Sequence, residues 1–302
     1  MVRLGLIAAA LATAVVAAAQ PSVPAAWPDE RVTELIERTE TIRLAPDISH
    51  LSEGEREAVA KLIEVGRIFQ DVYEEQRHRS ALAARARLAP GSPEATLYRL
   101  FQGPIATTLD NRREPFLAVE EAPPGKNVYP WDLTRAEYDA WLAAHPEQAR
   151  ELTHLRSVVR RADAASLARD LAVIERHPVL DRLHPGLRAR LQALAARPDR
   201  GALYAVPYSV AWGDEMIHAH ALLNEAADAV EGDDWEFAKY LRNRARDLLR
   251  ADCHHAGRRR ELADDGGKPG HSLRQDERPR GRRRARHRQG AGHRKSRRNE
   301  AR

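Results

Sequence analysis

Apolar positions recur at helical spacing along most of the chain. Pro28-Asp29-Glu30 opens an amphipathic run that extends through Leu44. Ser52-Glu53-Gly54-Glu55 is a capping box, in which the Ser oxygen and the Glu carboxylate satisfy free amides at a helix start. A long helix is expected after it, because Val59, Leu62, Ile63, Phe69 and Tyr73 share one face, widened by Val65 and Val72. That face is expected to be core. Gly66 lies within it and weakens the helix, so a neighbouring helix is expected to approach closely there. Ser92-Pro93-Glu94 before Leu97, Tyr98 and Phe101, and Thr134 with Glu137 before Tyr138 and Trp141, repeat the start signal.

Residues 146–197 offer about three short helices punctuated by His177-Pro178 and His184-Pro185, since a residue before proline resists the helical region. Tyr204, Tyr208 and Trp212 lead into a helix ending near Gly232, and Asp233 or Asp234 caps another that carries Phe237, Tyr240, Leu241, Leu248 and Leu249. Between Gly103 and Trp131 the pattern breaks around six prolines and glycines, so an ordered loop at best is expected. No alternating run long enough for a sheet is evident. The expected fold is all-α, a multi-helix body over 28–252 with a long Pro-rich loop at 103–131.

The two ends differ from that body. Arg3 followed by the uncharged stretch Leu4–Ala19, with Ala17-Ala18-Ala19 before Gln20, reads as a signal peptide over 1–19 and predicts a periplasmic or secreted protein. No stable membrane span is expected after cleavage. Residues 253–302 are rich in arginine. From residue 251 onward there are 15 Arg and 2 Lys against 7 acids, whereas the first 250 residues carry 32 basic against 37 acidic groups. The pI of about 9.5 therefore describes the tail. A disordered tail is expected, either a product of a shifted reading frame or a basic arm for anionic surfaces. It has no interleaved aromatics, so no specific nucleic acid is expected as a partner. Cys253 has no second cysteine to pair with.

Familiar chemical signatures are missing. A helix-borne zinc peptidase site needs His-Glu-x-x-His or its form one residue longer, and neither occurs. Gly-x-Ser-x-Gly, phosphate-loop and dinucleotide fingerprints are also missing. Three pairs place a carboxylate and an imidazole three residues apart: Glu75 with His78, Glu151 with His154, and Glu215 with His218. Such pairs build di-iron or di-manganese bundles, so a di-metal centre using Glu151, His154, Glu215 and His218 is an alternative. His218 and His220, two apart, point in different directions on a helix.

Four stretches carry a family resemblance: Leu51 to Glu64, Tyr129 to Glu137, Leu203 to Ser209, and Phe237 to Asp247. Over about Leu51 to Asp252 the chain resembles the N-terminal part of bacterial zinc hydrolases of the dipeptidyl-peptidase III family. The resemblance implies a helical lobe of a metallopeptidase that uses zinc and acts on peptides. The family's zinc helix, with its His-Glu-x-x-Gly-His string, lies in its C-terminal half, and no position here matches it. No catalytic, cofactor-binding or metal-ligating residue is therefore assigned, and no zinc is expected in this chain, which reads as truncated or frameshifted near residue 252. A non-enzymatic helical binding module with a basic arm is the other reading.

The export signal makes its own prediction. Amino-terminal sequencing of the protein from a periplasmic or culture fraction should start at Gln20, and an intact Met1 confined to the cytoplasm would overturn it.

Overall fold

The computed structural model describes residues 23–123, 125 and 127–250. The expected signal peptide, Cys253 and the basic tail lie outside the described residues. Among these residues helix dominates, joined by two small sheets of two strands each, and no helix is long and apolar enough to cross a membrane.

Helix α1 (Asp29–Glu37) carries two acids in its first turn, favourable against the helix dipole, and buries Val32. It stops well short of Leu44. Thr39, Thr41 and Ile42 are β-branched and lose side-chain freedom in a helix, and Ile42 and Leu44 have no surface to bury against. The chain therefore continues without regular structure to α2 (Glu53–Arg77), whose capping box forms as expected.

The face that α2 buries is not the one with the largest side chains. Ala58, Val65 and Val72 are buried, with Leu62 and Ile68 packed beside them, while Val59, Ile63, Phe69 and Tyr73 are 39–52% exposed. The small residues win because they let the helix Gly213–Val230 approach closely. Gly66 faces open space, and the close approach is at Gly54 instead. A Cβ there would sit 2.2 Å from the Ala229 carbonyl oxygen and 2.9 Å from Asp233 Oδ2.

Helices α3 (Ala81–Arg85) and α4 (Pro93–Phe101) are tied to α2 through Glu74, only 3% exposed. Its carboxylate accepts hydrogen bonds from Gln70 Nε2 (2.9 Å), Arg85 Nη1 (2.9 Å) and Tyr98 Oη (2.8 Å). A buried carboxylate is tolerable only when satisfied in this way.

The Pro-rich segment is more ordered than a loop. It contains an antiparallel hairpin, β1 (Ile105–Thr107) with β2 (Arg113–Pro115), pairing Ile105 with Pro115. Ile105, Ala106, Phe116, Leu117 and Val119 join Val32 and Leu97 in one apolar cluster. Strands of three residues are too short to display a period. His78 anchors this segment to the end of α2. Fully buried, it places Nε2 2.9 Å from the Glu120 carbonyl oxygen while its Nδ1 accepts the Ser80 amide at 3.1 Å.

Helices α5 (Arg135–Ala144), with its own capping box, and α6 (Ala149–Leu152) follow. Next comes a strand where only helices are expected, β3 (Ser157–Ala162), then α7 (Ala164–Arg176), α8 (Pro178–Leu183) and α9 (Leu187–Ala195). The His-Pro breaks fall as read, with Pro178 opening α8 and His184 ending it. Strand β4 (Asp199–Pro207) pairs antiparallel with β3, placing Val159 opposite Ala205 and Arg160 opposite Tyr204. Ala202 through Val206 are all buried, so β4 shows no alternation by which a strand could be read from the letters. Helix α10 (Tyr208–Ala211) turns the chain into α11 (Gly213–Val230), and Asp234 Oδ1 accepts the Phe237 amide (2.9 Å) at the start of α12 (Trp235–Arg250).

Two glycine substitutions should move stability in opposite directions. Gly66→Ala, in open space, should stabilise by about 1 kcal/mol. Gly54→Ala should destabilise by about 1–3 kcal/mol, because backbone must shift to admit the methyl. Urea unfolding of both variants measures this.

A pH dependence follows from His78, whose pKa burial pushes below the usual 6.5, with Arg79 adding to the effect and the Glu120 contacts opposing it. The folded state then binds the proton less well than the unfolded chain. This stability is complete above about pH 6.5 and is lost as pH falls below it towards the depressed folded value. His78→Asn should flatten the fall in urea midpoint between pH 7 and pH 5, and an unchanged slope would contradict it.

Candidate functional site

A groove of 660 Å³ is formed by β3, α7, residues 127–132, the end of α2 and the start of α11. Its rim is set by the segment before α5. The Val159 amide donates to the Val128 carbonyl (2.9 Å), laying that segment along the free edge of β3. Leu133 is buried with Leu152, Val159 and Leu203, and Tyr129 meets Tyr138 edge-on at 5.5 Å. Trp131 is held between His78, edge-on at 5.2 Å, and the Arg79 guanidinium, 4.3 Å from the ring centroid. Arg79 also pairs with Glu120.

Arginines and carboxylates interlock along the lining. Arg161 donates from Nε to Asp132 Oδ2 (3.0 Å) and from Nη1 to the Arg200 carbonyl (3.2 Å), while Arg200 Nη2 reaches the same carboxylate oxygen at 2.8 Å. Burial would raise the Asp132 carboxyl, but the hydrogen bonds from Arg200 and Arg161 outweigh it and hold its pKa below the usual range. Arg160 rises from the floor, its Nη1 3.0 Å from Oδ1 of the fully buried Asp170, whose Oδ2 accepts from Tyr204 Oη at 2.7 Å. Burial pushes the Asp170 pKa up against the opposing pull of Arg160 and Tyr204.

A second set of charged contacts joins α2, α7 and α11. Glu75 accepts from Trp212 Nε1 (2.9 Å), and Asp214 pairs with Arg176 (2.7 Å) and His177 (2.5 Å). Hydrogen bonds from Arg176 and then His177 hold the Asp214 carboxyl below its ordinary value. Glu215 lies beside them on the lining. A groove lined by aromatic rings and by charges of both signs suits a polar ligand, and the hydroxyl–carboxylate contact on its lining, Ser166 Oγ donating to Asp163 Oδ2 at 3.1 Å, belongs to the cap of α7.

The carboxylate–imidazole pairs read from the sequence do not converge. Glu75 lines the groove, whereas His78 turns into the protein towards Glu120. Glu151 and His154 border a separate pocket of 450 Å³ with Ser157, His184 and Arg190, and Glu151 is ion-paired to Arg190. Glu215 and His218 border a third, with Asp71 and Glu75. The four-residue di-metal centre is thus corrected, since its two halves sit in different pockets. No three His, Cys, Asp or Glu side chains are placed to hold a metal ion among the described residues. His184 Nε2 is 2.8 Å from Ser209 Oγ, but Ser209 is fully buried and out of reach of any substrate.

Sequence reasoning passed over the groove's own residues: Asp132, Arg160, Arg161, Asp170 and Arg200. No motif unites them. The available signal was Arg160-Arg161 set inside an otherwise apolar stretch, together with the aromatic Tyr129-Pro130-Trp131-Asp132 run.

No family model matches the chain, and no curated protein matches it. Among solved structures, the fold is similar to the structure of DPP III from Caldithrix abyssi, with a TM-score of 0.56 and 22% sequence identity. The likeness covers 74% of this chain but 36% of that chain, so this chain spans little more than a third of that protein, and what it shares with it is the fold.

Proposed function

We propose that this chain is the N-terminal portion of a zinc-metallopeptidase-like protein related to dipeptidyl-peptidase III. The described residues supply helical scaffold and part of a peptide cleft, without the family's zinc string. The observation that carries this reading is the fold likeness over 74% of the chain. It is supported by where the four resembling stretches fall: the capped start of α2, the groove rim at Tyr129–Glu137, the buried strand β4 and the body of α12.

Zinc would need imidazole and carboxylate ligands converging on one point, and the described residues do not fit it. The sequence also lacks the His-Glu-x-x-Gly-His string throughout. No catalytic step is therefore assigned to this chain, which is inactive by itself. Arg3 followed by the uncharged stretch Leu4–Ala19 supports a periplasmic or secreted location.

Two measurements test this. Purified chain should release no amino-terminal dipeptides from peptides in a chelator-sensitive manner, and such release, free of contaminating enzymes, would refute the claim of inactivity. Reading the DNA beyond codon 252 in the other two frames should reveal a downstream His-Glu-x-x-Gly-His string, and its absence there removes the peptidase reading.

A further inference from the structure

A second groove, of 310 Å³, lies where the later turns of α2 meet α10, α11 and α12, and of its lining residues only Gln76 also lines the charged groove. Its walls are apolar: Phe69 and Tyr73 from α2, Tyr208 from α10, Met216 from α11 and Leu248 from α12. Phe69 and Tyr73, four apart on one helix, are 40% and 39% exposed, because the small residues of α2 take the packing against α11. Both rings therefore keep area for another contact. The walls are also braced. Tyr208 stands edge-on to Trp212 at 5.1 Å, the Tyr73 hydroxyl accepts from Arg77 Nη1 at 2.6 Å, and Met216 is buried. A site held in this way loses little side-chain freedom when a ligand enters.

One charged residue, Arg156, lies on this lining, just before β3. Its carbonyl accepts the Tyr208 amide at 2.9 Å, which fixes the two residues beside each other. Among the described residues, its guanidinium has no hydrogen bond and no carboxylate partner. Arg85, Arg160, Arg161, Arg176, Arg190 and Arg242 each have such a partner. Arg156 is half-buried, so water screens its charge incompletely, and a carboxylate gains more beside it than on an open surface. The Tyr208 hydroxyl likewise has no partner among the described residues. Burial, and then the Tyr129 hydroxyl, push its pKa up against the opposing pull of Arg156, so it stays protonated and able to donate.

We propose that this groove binds a small aromatic carboxylate, its ring among Phe69, Tyr73 and Met216 and its carboxylate paired with Arg156 and Tyr208. Mostly apolar walls with few polar groups are the usual make-up of small-ligand sites, and the volume fits the lower end of their range of roughly 300–1,000 Å³. A lining with one cation and no acid selects an anion. Aromatic contacts hold the ring, and the guanidinium and phenol give the carboxylate charge-assisted hydrogen bonds. A free aromatic acid and the C-terminal aromatic residue of a peptide present the same two groups. The inference rests on this groove alone and stands apart from the peptidase reading.

Calorimetric titration of the full chain with 3-phenylpropionate, its amide and the peptide Gly-Gly-Phe tests it. The acid should bind, and the amide should bind about tenfold more weakly, because only a carboxylate pairs with the guanidinium. Arg156→Gln should weaken the acid by about tenfold and leave the amide unchanged, while Arg156→Lys should keep part of the acid's affinity. Phe69→Ala should weaken acid and amide alike at an unchanged thermal midpoint, since that ring belongs to none of the apolar clusters, and it serves as the test if Arg156→Gln does not fold. Tighter binding of Gly-Gly-Phe than of the free acid upholds the site for peptide C-termini, and the reverse order upholds it for free acids. The proposal is overturned if neither carboxylate binds at millimolar concentration, if acid and amide bind equally, or if Phe69→Ala changes nothing. Folded Arg156→Gln that binds the acid as before also overturns it, as expected of an arginine whose stem only covers apolar surface.

Discussion

The structure depends on a seam of small residues. Ala58 and Val65 of α2, Ala219, Ala226 and Ala227 of α11, and Ala238 and Ala245 of α12 are all buried in one cluster. Small side chains let helix axes approach, and at Gly54 the approach is so close that the α11 backbone occupies the space of a side chain. Ser52 reinforces the contact, since the oxygen that caps α2 also lies 2.5 Å from Asp233 at the turn between α11 and α12. The ion pairs at the seam's margin, Lys61 with Glu225 and Arg242 with Asp228 and Glu231, are exposed and add little beside it. Once α11 is clamped on both sides, the large side chains of α2 have no place at the seam, which is why Val59 and Ile63 face outward.

How much of this could be read from the letters follows the range of each interaction. Helix starts were legible because a cap involves residues three apart: Ser52 with Glu55, Thr134 with Glu137, and Asp234 with Phe237 all form as read. The His-Pro breaks were legible for the same reason. The buried face of α2 was not, because alanine gives no hydrophobic signal strong enough to outrank valine, isoleucine and phenylalanine, and only the partner helix decides which stripe is covered. Strand β4 was hidden by burial on both faces, and the 105–115 hairpin by its shortness. The groove was the least legible part. Asp132, Arg161 and Arg200 meet through contacts spanning 29 and 68 residues, which no local pattern records. The carboxylate–imidazole spacing, by contrast, was conspicuous and carried no site.

Two buried carboxylates show how polar groups are used inside this protein. Glu74 is met by Arg85 and Tyr98, and Asp170 by Arg160 and Tyr204. Each acid sits on a helix, is ion-paired with one guanidinium and accepts a hydrogen bond from one phenol of neighbouring elements. Burial drives both tyrosine hydroxyls above their ordinary pKa, so they remain donors. Such arrangements contribute little net stability compared with apolar packing, because desolvation offsets most of the attraction. What they supply is position: Glu74 sets α3 and α4 against α2, and Asp170 fixes the Arg160 guanidinium on the groove lining.

The charge pattern of the groove is therefore inherited from the framework. Glu75 and Arg79 stand at the end of α2, Asp214 and Glu215 at the start of α11, and the seam sets the distance between those two helix ends. Arg160 and Arg161 come from β3, whose alignment is fixed by β4 on one side and by the Val128 carbonyl on the other. None of these side chains needs a metal ion for its placement. The charged groove is thus held in order by contacts among the described residues. That order has its cause in the apolar packing, which is closed around α11 and leaves Val59 and Ile63 exposed on the outer face of α2.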